Sequence, residues 1–156
     1  MNLVIEQIEK EDKKMKKQVE NLSIVAWVTA LVATLGSLYF SQVRMYEPCT
    51  LCWYQRIVMY PLVIIFIIGI IKKDATVALY SAVLSFIGMG LSSYHYMLQK
   101  VPVFTQSAPA CGRVPCTGAY INWFGFVTIP FLAMTAFIII FVCSLFMLKL
   151  TKEDSK

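Results

Sequence analysis

The chain has 156 residues, is 58% hydrophobic and only 15% charged, and carries a formal net charge of +5. Soluble domains are nearer half apolar and a quarter charged, and here the apolar residues fall in runs approaching the about 20 residues that cross a bilayer. A soluble fold is therefore excluded, and the basic balance, with no phosphate-cradling glycine loop and no aromatic–basic interleaving, speaks for membrane orientation and not for nucleic acid.

The expectation is an all-α protein: a four-transmembrane-helix bundle forming one domain over residues 1–156, with spans at about 22–40, 52–71, 75–98 and 126–148. The leader, MNLVIEQIEKEDKKMKKQVEN, is expected to be a solvated helix lying along the cytoplasmic surface. Span one, LSIVAWVTALVATLGSLYF, reads as an uncleaved anchor, since it is longer than a signal-peptide core and no small-x-small site follows it. Its Ala26, Ala30, Ala33 and Ser37 recur at helical spacing and mark a face for close packing; Ser81, Ser85, Gly88 and Ser92 do the same in span three. Spans two and three are joined only by Lys72, Lys73 and Asp74, which predicts a tight helical hairpin. Pro130 falls in the first turn or two of span four, where a missing N–H is tolerated.

Lysine and arginine set the orientation. Lys10, Lys13, Lys14, Lys16, Lys17, Lys72, Lys73, Lys149, Lys152 and Lys156 fall on one side; Arg44, Arg56, Lys100 and Arg113 fall on the other. Positive-inside then puts both termini in the cytoplasm and the two long loops, 41–56 and 99–125, outside.

Four of the five cysteines, Cys49, Cys52, Cys111 and Cys116, lie in those outer loops, where disulfides persist; Cys143 lies within a span and reads as a small apolar filler. A disulfide closing a six-residue loop stabilises by only about 2 kcal/mol in the chain-entropy model, and strain subtracts from that. CTLC and CGRVPC therefore look like redox pairs, with Gly112 and Pro115 supplying the turn in the second. Cys49 falls where span two starts, at the positive end of a helix dipole that favours a thiolate. Arg56 follows Cys52 by four residues and Cys49 by seven, so all three share a helical face, where a fixed cation would stabilise a thiolate or a reduced, anionic ligand. His95, the only histidine, falls near the same depth at the end of span three. Tyr39, Phe40, Trp53, Tyr54, Tyr94, Tyr96 and Trp123 crowd this end, as an interfacial belt or as walls for a flat ring. The rival use of four cysteines is a closed structural zinc site. Both pairs face an oxidising space, and Arg56 is of no use to a metal, so no metal is expected.

PCTLCWYQR at the start of span two resembles the C-x-L-C-x-x-x-R signature of the DsbB disulfide-bond formation proteins, and ACGRVPCTGAYINWFGFVTIPFLA is similar to the bacillus-type members of that family. The likeness runs in order over about residues 22 to 150. It implies a quinone-linked thiol oxidase of the cytoplasmic membrane, active on the extracytoplasmic side. Such an enzyme takes electrons from a thioredoxin-like partner of the DsbA/BdbD type and passes them to quinone, menaquinone by preference and ubiquinone as the second candidate. By position, Cys111 forms the mixed disulfide with the partner, Cys116 attacks Cys49, and Cys52 is released facing the quinone, with Arg56 polarising a quinone oxygen and His95 a second quinone neighbour. The loop pair here is spaced much more tightly than in proteobacterial members, and Gln55 stands where some members carry an acidic residue. Vitamin K epoxide reductase-like proteins use a similar bundle, but their CxxC adjoins the last span. The competing functions are an outward-directed thiol reductant and a non-catalytic, zinc-stabilised membrane adaptor.

Overall fold

The computed structural model describes residues 2–103, 114–118 and 120–154, so Cys111 and Gly112 lie outside the described residues. Four helices carry the fold: α1 (Asn2–Leu38), α2 (Thr50–Lys72), α3 (Val77–Lys100) and α4 (Ile129–Asp154), with a π-helical turn, Tyr39–Val43, continuing α1. They pack as a closed ring in which α1 touches α2, α2 touches α3, α3 touches α4 and α4 returns to α1. All four are long and apolar enough to cross a membrane. The ring is apolar on its outside too, with Val32 63% and Ile71 75% exposed, a surface suited to lipid and not to water.

The leader is not a separate surface helix. Helical structure runs unbroken from Asn2 through the first span to Leu38. The physical reason is composition: no glycine or proline occurs before Gly36, and Lys10 pairs with Glu6 one turn earlier at 3.3 Å. At 1.5 Å per residue such a helix is about 55 Å long, more than the roughly 30 Å hydrocarbon core, so the leader projects along the axis of its span.

The short KKD hairpin is built as a left-handed helix stop. Lys73 takes φ 51°, the Asp74 N–H reaches back to the Gly69 carbonyl at 3.0 Å, and the Asp74 carboxylate accepts the Thr76 N–H at 2.8 Å. Span four starts three residues later than the sequence suggests. Phe126 belongs to a tight turn in which Trp123 and Val127 pair as an isolated bridge around Phe124 and Gly125, both at positive φ. Pro130 is then the second residue of α4, where its missing N–H is harmless.

Both small-residue faces are packing faces. Ala26 and Ala30 of α1 are fully buried in the core beside Leu62, Phe66, Phe137 and Ile140. On α3, Ser81, Ser85 and Ser92 are fully buried, and the Ser81 and Ser144 hydroxyls meet at 2.7 Å across α3 and α4. Gly88 makes the closest approach: a Cβ there would overlap the ring of Phe137. Gly90, two residues on, has open space around it. We expect Gly88→Ala to lower stability by about 1–3 kcal/mol, the usual penalty for overpacking, and Gly90→Ala to leave it unchanged or slightly raised, because alanine is the better helix former. Thermal unfolding of the two variants in one detergent checks this; equal midpoints would show that the α3–α4 contact gives way without strain.

Candidate active site

The start of α2 decides what the site looks like. Cys49 is the extended residue that caps the helix, with φ −69° and ψ 170°, and Cys52 is the third residue inside it. The Cys52 sulfur lies toward the backbone N–H of Cys49, the direction in which a glutamate at that position reaches in a capping box. The Cys49 thiol in turn donates to Cys52 Sγ at 3.2 Å.

Cys49 therefore keeps its proton. The bond it gives to Cys52, and then its burial, push its pKa up to about 12, against the pull of His95. The helix start favours a thiolate as expected, but the sulfur placed to use that field is Cys52, not Cys49.

Only one of the two sulfurs borders the larger cavity. Cys52 lines a cavity of about 520 Å³ enclosed by α1, α2 and α4. Arg56 lines it one turn further on. Its guanidinium is fixed by α1, donating from Nε to Ser37 Oγ at 2.8 Å and from a terminal nitrogen to the Ser37 carbonyl at 2.9 Å, and it lies over the Trp53 ring at 5.4 Å. The arginine is thus tied down inside the bundle and does not merely reach for headgroups. Tyr60, a further turn along, also lines the cavity, and its buried hydroxyl has no partner.

Cys49 lines a second cavity of only about 20 Å³, shared with Cys52, His95, Pro115 and Tyr120. Cys49 and Cys116 pack together with Leu98 as a buried cluster, so the second cysteine segment is brought onto the first at Cys116. The turn on that segment runs from Pro115 to Gly118, whose N–H returns to the Pro115 carbonyl at 3.2 Å. The expected partner Cys111 falls outside the described residues. Cys143 belongs to the apolar core among Phe137, Ile140 and Met147, as a filler would.

His95, expected to share a ligand with Arg56, stands on the other side of the cysteine pair. Its ring is buried, with Nε2 3.6 Å from Cys49 Sγ and 3.2 Å from the Cys116 carbonyl, and Nδ1 3.2 Å from the amide nitrogen of Gln55. It lines the small cavity and not the large one. Cys49, Cys52 and His95 hold their ligand atoms within 4.8 Å of one another. That spacing suits one cation, but the Cys116 carbonyl can only accept, so Nε2 carries the proton and offers no lone pair to a metal.

Three contributors are not evident from the sequence. Ser37 reads there as packing only. Gln55 is an amide one residue from the arginine and buried in a membrane helix, a position that signals a polar partner. Tyr120 stacks on Tyr46 at 4.8 Å, and its hydroxyl donates to the Glu47 carbonyl at 3.1 Å, so it closes the mouth of the large cavity beside Phe40. Of the aromatics expected near the site, only Phe40 lines that cavity; Tyr39, Trp53, Tyr54 and Trp123 are at least half exposed, as belt residues are.

Four apolar helices around a dithiol, with a third cysteine packed against it, define a multi-pass membrane protein equipped for thiol chemistry. The family model for "Disulfide bond formation protein DsbB" matches residues 19–147. Among similar proteins, "Probable disulfide formation protein C" of Halalkalibacterium halodurans is 69% identical over 135 residues, covering 86% of this chain and 98% of that one. "Disulfide bond formation protein C" of Bacillus subtilis is 56% identical over 122 residues, covering 77% and 88% respectively. The chain belongs to the DsbB family of disulfide bond formation proteins.

The hydrogen bond to Cys52 is the larger reason that Cys49 holds its proton. Cys52→Ala should therefore lower the Cys49 pKa and speed its alkylation by N-ethylmaleimide at pH 8, by about tenfold for each unit recovered. Timed alkylation of the fully reduced chain, read by peptide mass, checks this. An unchanged or slower rate would mean that burial alone protects Cys49.

Proposed function

We propose that the protein is a quinone-linked thiol oxidase of the cytoplasmic membrane. On this reading it reoxidises an extracytoplasmic thioredoxin-like partner of the DsbA/BdbD type through Cys111 and Cys116, and moves the electrons through Cys49 and Cys52 to a quinone. Menaquinone is the first candidate and ubiquinone the second. The observation that carries the reading is the position of Cys52, which touches both the lipid-side cavity and the small cavity next to Cys49.

The large cavity suits a quinone in three respects. Its volume lies within the range of about 300–1,000 Å³ usual for small-molecule sites. Its margin is apolar, with exposed Val28 and Val32 from α1 and Leu132 and Ile139 from α4, as an isoprenoid tail needs. Its polar groups are donors placed for ring oxygens: the Arg56 guanidinium, which has N–H groups beyond those given to Ser37, and the unpartnered Tyr60 hydroxyl. When bound, the quinone supplies the two-electron acceptor.

The residues divide the work as follows. After the partner has reduced the outer pair, the Cys116 thiolate attacks Cys49 Sγ of the inner disulfide. A Cys49–Cys116 bond forms, the Cys49–Cys52 bond breaks, and the electron pair leaves on Cys52. The Cys49 N–H and the neighbouring Arg56 hold that charge beside the cavity. Attack by the Cys111 thiolate on Cys116 then restores the outer disulfide and releases Cys49, which takes up a proton. Exchange of this kind needs a good leaving thiolate, and a helix-start sulfur is one.

With purified chain, reduced thioredoxin-like partner and varied quinone, the apparent KM for quinone should rise from wild type to Arg56→Lys to Arg56→Ala. Lysine keeps the charge but loses the planar donors that Ser37 aligns. A tenfold rise corresponds to about 1.4 kcal/mol, the scale of one charge-assisted hydrogen bond. Wild-type quinone dependence in Arg56→Ala would move the quinone elsewhere, and no quinone-dependent oxidation at all would end the proposal.

The proposed orientation has both termini and Lys73 in the cytoplasm and the two cysteine segments outside, on the ten-to-four division of lysine and arginine. In a cysteine-free background, an impermeant maleimide applied to intact cells should label Val103→Cys and spare Lys73→Cys. The reverse pattern would invert the topology.

A further inference from the structure

His95 and Gln55 are both buried, 1% and 6% exposed, and the chemistry described above gives neither a task. Their hydrogen bonds are mutually restrictive. The Cys116 carbonyl, 3.2 Å from His95 Nε2, can only accept, so Nε2 bears a proton. In the neutral ring Nδ1 is then a bare acceptor, and Gln55 meets it with its amide nitrogen at 3.2 Å. With the Gln55 amide in this orientation, the two contacts agree on one tautomer. The proton so fixed lies on the nitrogen nearest Cys49 Sγ, at 3.6 Å.

We propose that Gln55 is a positioning residue for thiol exchange: by donating to His95 Nδ1 it keeps the imidazole proton on Nε2, aimed at Cys49 sulfur and the Cys116 backbone. The inference rests on the relay proposed above and assigns the pair to its thiol half, not to the quinone. When the Cys111 thiolate attacks Cys116, the Cys111–Cys116 bond forms, the Cys49–Cys116 bond breaks, and the electron pair goes to Cys49 Sγ. The Nε2–H donates to the sulfur as that charge appears. It also holds the Cys116 carbonyl, and with it the bond to be broken, against the start of α2.

The groups facing His95 are few. From α2 come Cys49 and Cys52, and from the second cysteine segment Cys116 and Tyr120. The α4 residues at the small cavity are Ile129 and Pro130, and α3 itself adds the neutral Gln99. Arg56 is turned to α1 and bonded there. Among the described residues no carboxylate lines this cavity, so the amide is what sets the tautomer.

Two substitutions separate this role from packing. Gln55→Met keeps size and removes both amide groups. Gln55→Glu keeps size and offers only acceptors, so Nδ1 must carry the proton and Nε2 of the neutral ring is left bare. The experiment uses full-length chain in detergent, fully oxidised and without quinone, mixed with a reduced thioredoxin-fold dithiol protein. Acid quenching and alkylation follow the single turnover, and quinone KM is measured on the same preparations. We expect Gln55→Met to slow exchange about tenfold. Gln55→Glu should turn the neutral ring over to the Nδ1–H tautomer, read as exchanged imidazole 15N shifts of the single histidine, and should slow exchange about tenfold as well. Gln55 itself borders the large cavity, so folding is read from the thermal unfolding midpoint and not from quinone KM. Wild-type exchange in Gln55→Met, or a Gln55→Glu defect with the wild-type imidazole tautomer, would reduce Gln55 to packing. A defect confined to quinone KM would give Gln55 its role at the large cavity and none toward His95. If the wild-type chain itself fails to exchange, it is the relay that fails, not the assignment of Gln55.

Discussion

Successive residues of an α-helix point about 100° apart, and the site follows from that single figure applied to α2. Gln55 and Arg56 are neighbours in sequence, yet one reaches His95 on α3 and the other reaches Ser37 on α1. Cys52, one turn earlier, falls between their two directions. It is consequently the sulfur that borders both cavities, while Cys49, at the cap, is turned toward Cys116. Because α2 is flanked in the ring by α1 and α3, each of the two polar residues finds a different wall to bond to. Moving the start of the helix by one residue would turn Arg56 away from α1 and leave a guanidinium facing lipid, where it is costly.

A lipid-embedded bundle has little tolerance for unmet polar groups, so each buried one calls for a partner or a reason. Ser81, Ser85 and Ser144 bond within the bundle and stitch α3 to α4. Gln55 and His95 satisfy one another. Tyr60, like Trp27, Thr34, Ser92 and Thr128, has a buried polar atom with no partner among the described residues, and it borders the cavity of about 520 Å³. An orphaned donor of this kind carries a penalty of about 1–3 kcal/mol, which a ligand oxygen in the cavity would remove.

The sequence carries the four spans, the cysteine motif and the helical alignment of Arg56 with it, because each depends on one segment's own periodicity. What it does not carry is rotation between segments. His95 stands at the right depth on α3, but depth does not say which side of the cysteine pair it faces; that is set by the Gly69–Val77 contact and by the small-residue face that seats α3 on α4. Ser37 has the same ambiguity, since a small residue on a packing face and a hydrogen-bonding one look alike until the neighbour is known. The leader is misread for a different reason: its charge suggests a surface helix, while its uninterrupted run of helix formers makes it continue its span. Phe126 is apolar enough to extend span four, but the positive-φ pair Phe124–Gly125 commits it to a turn.

The tight spacing of the second cysteine pair becomes intelligible from how that segment is held. Gln99 donates to the Gly118 carbonyl at 3.0 Å, Lys100 bonds Asn122 Oδ1 at 3.0 Å and the Gly125 carbonyl at 2.6 Å, and His95 bonds the Cys116 carbonyl. All three anchors come from the last two turns of α3, so the segment is fastened to the same helix that faces Cys49. Tyr120 adds a fourth attachment, to the backbone of Glu47 just before the cap of α2. In the proposed relay, a cysteine held in this way beside Cys49 would have little distance to travel for exchange, and a long connection that swings one cysteine toward another would be unnecessary. Separating Cys116 from Cys49 would instead break several hydrogen bonds at once, which keeps the inner pair screened while Cys52 remains open to the cavity on its other side.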